Sequence, residues 1–121
     1  MCAKKRHNYK NLKIWKLGLK ISFGISDLID KFSNHERYDL SSQMSRCPIS
    51  IPSNIAEGLA KSNKSFNNYL NISLGSSFEL ATQLLIAYHR KYINQNTLTE
   101  LEGEIEEFQR MTMSFQNGLD C

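Results

Sequence analysis

Residues Thr97 to Phe115 read TLTELEGEIEEFQRMTMSF, and Leu98, Leu101, Ile105, Phe108, Thr112 and Phe115 step through them by three, four, three, four and three. That spacing gives a narrow apolar seam, the mark of a helix packed in a bundle. Thr97-Leu98-Thr99-Glu100 fits a capping box, so the helix is expected over 97–116. Upstream, Asn94-Gln95-Asn96 interrupts the chain. Before it Phe66, Leu70, Ser73, Ser77, Leu80, Leu84 and Tyr88 form the inner stripe of a helix expected over 63–92. Gly58 and the polar run Lys61 to Lys64 separate that helix from one expected over 36–60. Pro48 and Pro52 fall inside this second helix, and each removes a helix hydrogen bond, which predicts a kink or break near 47–52. Ser33-Asn34-His35-Glu36 offers it a capping box. The first helix, expected over 9–31, carries Ile14, Leu17, Ile21, Ile25, Leu28 and Phe32 at spacings of three and four. Four amphipathic segments with short connections predict one all-α domain over 1–121, an up-down antiparallel four-helix bundle.

The composition agrees. A chain of 121 residues holds one core, and 40% hydrophobic with 22% charged residues is ordinary globular content. Six glycines and two prolines are too few for a turn-rich β protein. The longest apolar run, Leu84 to Tyr88, falls far short of a membrane span. Lys13, Lys16 and Lys20 interrupt any secretory leader, so the expected location is the cytoplasm, with no membrane partner. Cys2, Cys47 and Cys121 have neither the even count of a disulfide framework nor the spacing of a zinc site.

The charge is segregated. Met1 to Lys20 holds seven basic residues and no acid, whereas Asn94 to Cys121 holds one basic and six acidic residues. Around the first helix three stripes separate at about 100° per residue. One is the core stripe. Lys10, Lys13, Lys16, Lys20 and Lys31 cluster on a second. Leu12, Trp15, Leu19 and Phe23 form a third, roughly opposite the core. A monomeric bundle leaves this third stripe in water, and an aromatic pair at helical spacing there points to an oligomer interface. The competing reading is a wide core face with scattered surface apolars. The basic stripe, with Lys4, Lys5 and Arg6 ahead of it and Tyr9 and Trp15 interleaved, has the composition of a phosphate-gripping, base-stacking surface. Its alternative role is neutralisation by Glu100, Glu102, Glu104, Glu106 and Glu107 on a neighbouring last helix.

Signs of catalysis are sparse. The glycines are dispersed, so no phosphate loop forms. A di-iron bundle needs Glu-x-x-His, and the residues three before His7, His35 and His89 are Lys4, Phe32 and Ile86. No cofactor or metal is expected. Cys47 reads as a small buried cysteine rather than a nucleophile. Gln43, Arg46, Ser50, Asn54 and Glu57 share one face of the second helix, and Ser76, Glu79 and Gln83 line up on the third. These stripes can satisfy each other, for example Arg46 with Glu79, and fix register. The other reading is a polar pocket with Glu57 or Glu79 as acid or base. A protein without enzymatic activity is expected.

Phe32-x-x-x-Glu36-Arg37-Tyr38-x-Leu40-x-Ser42-Gln43, then Arg46, then Ser50-Ile51-Pro52-Ser53-Asn54-Ile55-Ala56-Glu57-Gly58, resembles the signature of the four helix bundle proteins first named as 23S ribosomal RNA intervening-sequence proteins. Leu12-Lys13-Ile14-Trp15 resembles that family's opening motif, and Tyr69-Leu70-x-Ile72-Ser73-x-Gly75-Ser76-x-x-Glu79-Leu80 its third-helix motif. The resemblance runs from about Leu12 to Tyr92. The sequence departs from the pattern at Ser33, where proline is usual, and at Cys47 and Pro48, where alanine is usual; the second proline predicts a stronger distortion of the second helix. The resemblance implies a bundle assembling into a homo-oligomeric ring, typically a homopentamer. A related branch comprises accessory variability proteins of diversity-generating retroelements, which bind nucleic acid and a reverse transcriptase. Both settings imply a bacterial RNA- or DNA-associated protein, or an adaptor for a reverse transcriptase or another protein. The family name reports gene location, not ribosome binding.

Overall fold

A computed structural model of the chain describes residues 8–32 and 38–119. Among them all regular structure is helical: a 3-10 turn at Tyr9–Asn11, then α1 (Lys13–Ile29), α2 (Tyr38–Arg46), α3 (Ser50–Leu59), α4 (Asn63–His89) and α5 (Gln95–Asn117). α2 and α3 together make one column of a four-column bundle. α1 and α4 each pack against α3 and α5, so these two helices lie diagonally across the core. Contacts run in opposite directions along neighbouring helices. Gly18 and Gly24 of α1 meet Phe108 and Leu101 of α5, and Ser77 and Asn71 of α4 meet Gln109 and Gln116 of α5. The columns therefore alternate up and down.

Local chemistry explains where the helix ends differ from expectation. The first helix begins at Lys13 rather than 9, because the Asn8 side chain accepts from the Lys10 backbone and closes a separate 3-10 turn, after which Leu12 is extended. The last helix begins before Thr97. Asn94 caps it, its side-chain oxygen accepting from the Thr97 backbone N–H at 2.8 Å, so Thr97 sits inside the first turn. The capping box at Ser33 to Glu36 lies outside the described residues.

The second helix breaks where the prolines require it. Pro48 offers no N–H to the Met44 carbonyl, and the chain crosses Cys47 to Ile49 with the Ser50 N–H on the Cys47 carbonyl (3.2 Å) and the Ile51 N–H on the Pro48 carbonyl (3.1 Å). Pro52 costs less. It stands in the first turn of α3, where a backbone N–H has no helical partner anyway.

α3 and α4 lie very close. A Cβ added to Gly58 would stand 2.5 Å from the Tyr69 Cβ and 2.9 Å from the Phe66 ring. Farther along, the buried Ser73 hydroxyl donates to the Ile51 carbonyl at 2.7 Å, and the Ser50 and Ser76 hydroxyls bond each other. Gly18 brings α1 onto the same column, where a Cβ would meet Ile51 at 3.0 Å. Around these crossings Ile21, Ile25, Met44, Ile55, Leu70, Leu80, Leu84, Ile105 and Phe108 fill the core. Ser73, Ser77, Leu80 and Leu84 take the inner positions expected of them, whereas Tyr88 is 39% exposed and Ala87 is buried in its place. At 3.6 residues per turn a step of three from Leu84 returns to the core as well as a step of four does.

α4 ends in a Schellman turn. Lys91 takes φ 65, and the Tyr92 and Lys91 N–H groups donate to the Ala87 and Tyr88 carbonyls, both at 2.9 Å. A left-handed lysine carries strain that glycine avoids.

Gly58→Ala is expected to destabilise the fold by about 1–3 kcal/mol through overpacking. Gly103→Ala, where an added Cβ meets nothing within 4 Å in mid-helix, is expected to stabilise it by about 0.5–1 kcal/mol. Urea unfolding of the two variants measures both signs. Lys91→Gly is expected to raise the thermal midpoint, corresponding to about 1 kcal/mol, with the helical CD spectrum unchanged.

Candidate functional site

The basic stripe begins where the chain enters α1. Lys10, Lys13 and Lys16 are exposed and have no carboxylate within ion-pair range among the described residues. Lys20, one turn further, reaches Glu104 at 3.8 Å. The antiparallel packing of α1 on α5 thus pairs Lys20 in the middle of the stripe and leaves its N-terminal end open. Tyr9 and Trp15 meet edge to face, with ring centroids 5.2 Å apart, beside this open end. Lys4, Lys5 and Arg6 lie outside the described residues.

The apolar stripe of α1 divides. Leu12 and Trp15 pack against the edge of the core, Leu19 is half-buried, and Phe23 stands 60% exposed. The stripe as a whole therefore does not face water as the wheel predicted: the extended Leu12 and the 3-10 turn fold Tyr9 back onto Trp15. What remains outward is Phe23, next to Ile49 in the α2–α3 break, itself 55% exposed. They share a shallow pocket of 230 Å³ with Ser22, Ile29, Met44 and Pro48.

The polar stripe spreads along α2, α3 and α4. Gln43, Arg46 and Glu57 are exposed. Asn54 donates to the Ser50 carbonyl at 2.7 Å, Ser50 bonds Ser76, and Gln83 donates to the Glu79 carboxylate at 3.3 Å. The Arg46–Glu79 ion pair does not form. Glu79 is instead taken by Gln83 and by the Cys47 thiol, which also donates to the Ser76 carbonyl at 3.2 Å. The two carboxylates do not share a site either. Gly58 is level with Tyr69 and Ser50 with Ser76, which sets Glu57 and Glu79 about 15 Å apart along the α3–α4 contact. Paired acid–base chemistry on one bond needs carboxylates within about 10 Å. Among the described residues no three His, Cys, Asp or Glu side chains gather as metal ligands, and no helix is long and apolar enough to cross a membrane.

A surface that sequence reasoning missed lies on α4. Ile72, Phe78, Leu85 and Ile86 are 53%, 52%, 50% and 39% exposed. Their signal was present in the sequence: Phe78 and Leu85 stand seven apart, and Ile72 and Ile86 stand seven on either side of Glu79. The inner stripe accounts for only one side of this helix.

Cys47 is buried, and desolvation, followed by the neighbouring Glu79 carboxylate, pushes its thiol up to about 12. The folded state thus favours the neutral thiol. The associated stability is full below the ordinary thiol value of 9.0 and is lost as pH rises from there toward 12. Iodoacetamide at pH 8 is expected to alkylate Cys47 at least about tenfold more slowly in the native than in the urea-unfolded chain, read by peptide mass spectrometry.

Residues 10–114 match the family model described as 23S rRNA-intervening sequence protein. No curated protein matches the chain. Among solved structures, a protein of unknown function from the S23 ribosomal protein family of Bacteroides thetaiotaomicron is similar at a TM-score of 0.80 and 24% identity. The match covers 85% of this chain and 97% of that one. This likeness supports the all-helical fold, and the family match spans nearly all the described residues. The chain belongs to the 23S rRNA-intervening sequence protein family.

Proposed function

We propose that this chain is a non-enzymatic, self-associating helical bundle, a homopentameric ring in its complete form, that holds RNA by its phosphates through the basic entry to α1. The observation that carries this reading is the open end of the lysine stripe. Among the described residues Lys10 and Lys13 are exposed with no carboxylate in ion-pair range, and Tyr9 is 36% exposed beside them, while Glu104 engages Lys20. Lys4, Lys5 and Arg6 extend the same charge toward the N-terminus. Backbone phosphates need this kind of mobile, unneutralised cation, and a stacking ring supplies affinity without sequence preference. One chain offers few such contacts, and a ring repeats them on one molecule. The separation of Glu57 from Glu79 and the burial of Cys47 support a role without catalysis, and the location proposed is the cytoplasm.

A protein-only scaffold, for instance an accessory to a reverse transcriptase, is favoured by a different observation: the large apolar residues left exposed on α1 and α4. Titration of single-stranded RNA across salt concentrations separates the two readings. RNA binding predicts affinity that falls linearly on a log–log plot, at about 0.7 per phosphate contact for single strands. Lys10→Gln and Lys13→Gln together are expected to reduce that slope by about 1.4 per bound chain. An unchanged slope makes the stripe structural, and no binding at low ionic strength leaves the scaffold. Light scattering on the same sample tests the ring, whose mass is a multiple of the 13.9 kDa chain.

A further inference from the structure

The outer side of α4 is built as a seam that no described residue covers. Gly75, Thr82 and His89 run down its middle at intervals of seven. Ile72, Glu79 and Ile86 form one flank, and Asn71, Phe78 and Leu85 form the other. All nine residues are exposed. A Cβ on Gly75 would meet nothing within 4 Å, so the middle is an open trough between large apolar walls. Single exposed apolars are normal on a soluble protein, but four large ones in two heptad registers along one helix match the periodicity of a surface that receives another helix.

A second apolar surface points the opposite way. On α1, Leu19 and Phe23 form a ridge that continues to Ile49. Because α1 and α4 are diagonal in the bundle, their outer sides face away from each other, and one chain cannot bring them together. Two unlike surfaces on opposite sides are the arrangement of a head-to-tail contact. Charge favours that pairing over a symmetric one. An antiparallel α4–α4 dimer that matched Ile72 with Ile86 would set Glu79 against Glu79 at its centre, a like-charge contact that costs affinity. Against α1, Glu79 meets Lys16 instead. Lys16 and Phe23 are seven residues apart, as are Glu79 and Ile72. An antiparallel approach that joins Lys16 to Glu79 thus places the Phe23 ring at Ile72 and the Gly75 trough.

We propose that the outer side of α4 is a docking surface for a second copy of this chain, receiving the Leu19/Phe23 ridge of its α1 with Lys16 against Glu79. The inference rests on the self-association proposed above and supplies the other half of the contact. Repeated about an axis whose rotation closes, such a head-to-tail contact makes a ring.

Two variants test it by mixing. Phe23→Arg removes the ridge and leaves the trough, whereas Gly75→Arg fills the trough and leaves the ridge. Both positions are exposed, so each variant is expected to keep the parent CD spectrum; Leu85→Lys on the trough wall serves as a second probe should Gly75→Arg unfold. Size-exclusion chromatography with light scattering is expected to show the parent as an oligomer, each variant alone as a monomer, and an equimolar mixture as a species of twice the chain mass. A folded Gly75→Arg or Leu85→Lys variant that keeps the parent mass overturns the α4 surface, as does a mixture that stays monomeric. A Phe23→Arg variant that keeps the parent mass overturns the ridge. In those cases self-association itself stands, whereas a parent monomeric at high concentration removes both readings.

Discussion

The contact of α3 with α4 at Gly58 governs the rest of the molecule. With no side chain at that position, the two helices close until Tyr69 and Phe66 occupy the space a Cβ would need. That closeness lets the Ser73 hydroxyl reach the Ile51 carbonyl and brings Ser50 to Ser76. The register of α3 on α4 follows from these contacts, and so does the separation of Glu57 from Glu79. Gly18 repeats the device between α1 and the same column, so two glycines allow three of the four columns to draw together.

The proline break and the polar stripe are parts of one arrangement. Pro48 ends α2 early, and the turn that follows carries Cys47 into the α4 contact while leaving Ile49 outward. Serine hydroxyls, not ion pairs, make the polar contacts between α3 and α4. Neutral partners avoid the large desolvation penalty of a buried charge pair. Gln109 donating to Ser77 at 3.0 Å does the same between α4 and α5. No charged side chain among the described residues is buried.

Charge along the chain becomes charge in space through the antiparallel packing of α1 on α5. The acidic last helix lies beside the basic first one but reaches only as far as Lys20. Lysines nearer the N-terminus extend past that neutralisation. The apolar residues show a comparable division, since Leu12 and Trp15 turn inward while Phe23 and the outer side of α4 remain in water.

Much of this was legible in the residues themselves. The seam from Leu98 to Phe115, the paired prolines and the run from Ser50 to Gly58 identified the helices, the break and the family, because helical periodicity and proline chemistry are local properties. The caps were less legible. Asn94 and Thr97 are both good capping residues, and in the fold Asn94 takes the role. The near neighbours of a side chain belong to tertiary structure alone. It decided that Ala87 and not Tyr88 enters the core, that Glu79 meets Cys47 and Gln83 instead of Arg46, and that Trp15 folds inward while Phe23 does not. Sequence by itself determined four amphipathic columns and their segregated charge, since both follow from spacing along the chain. Which stripes remain exposed depends on the interhelical distances that Gly18 and Gly58 permit, and a linear pattern does not contain them.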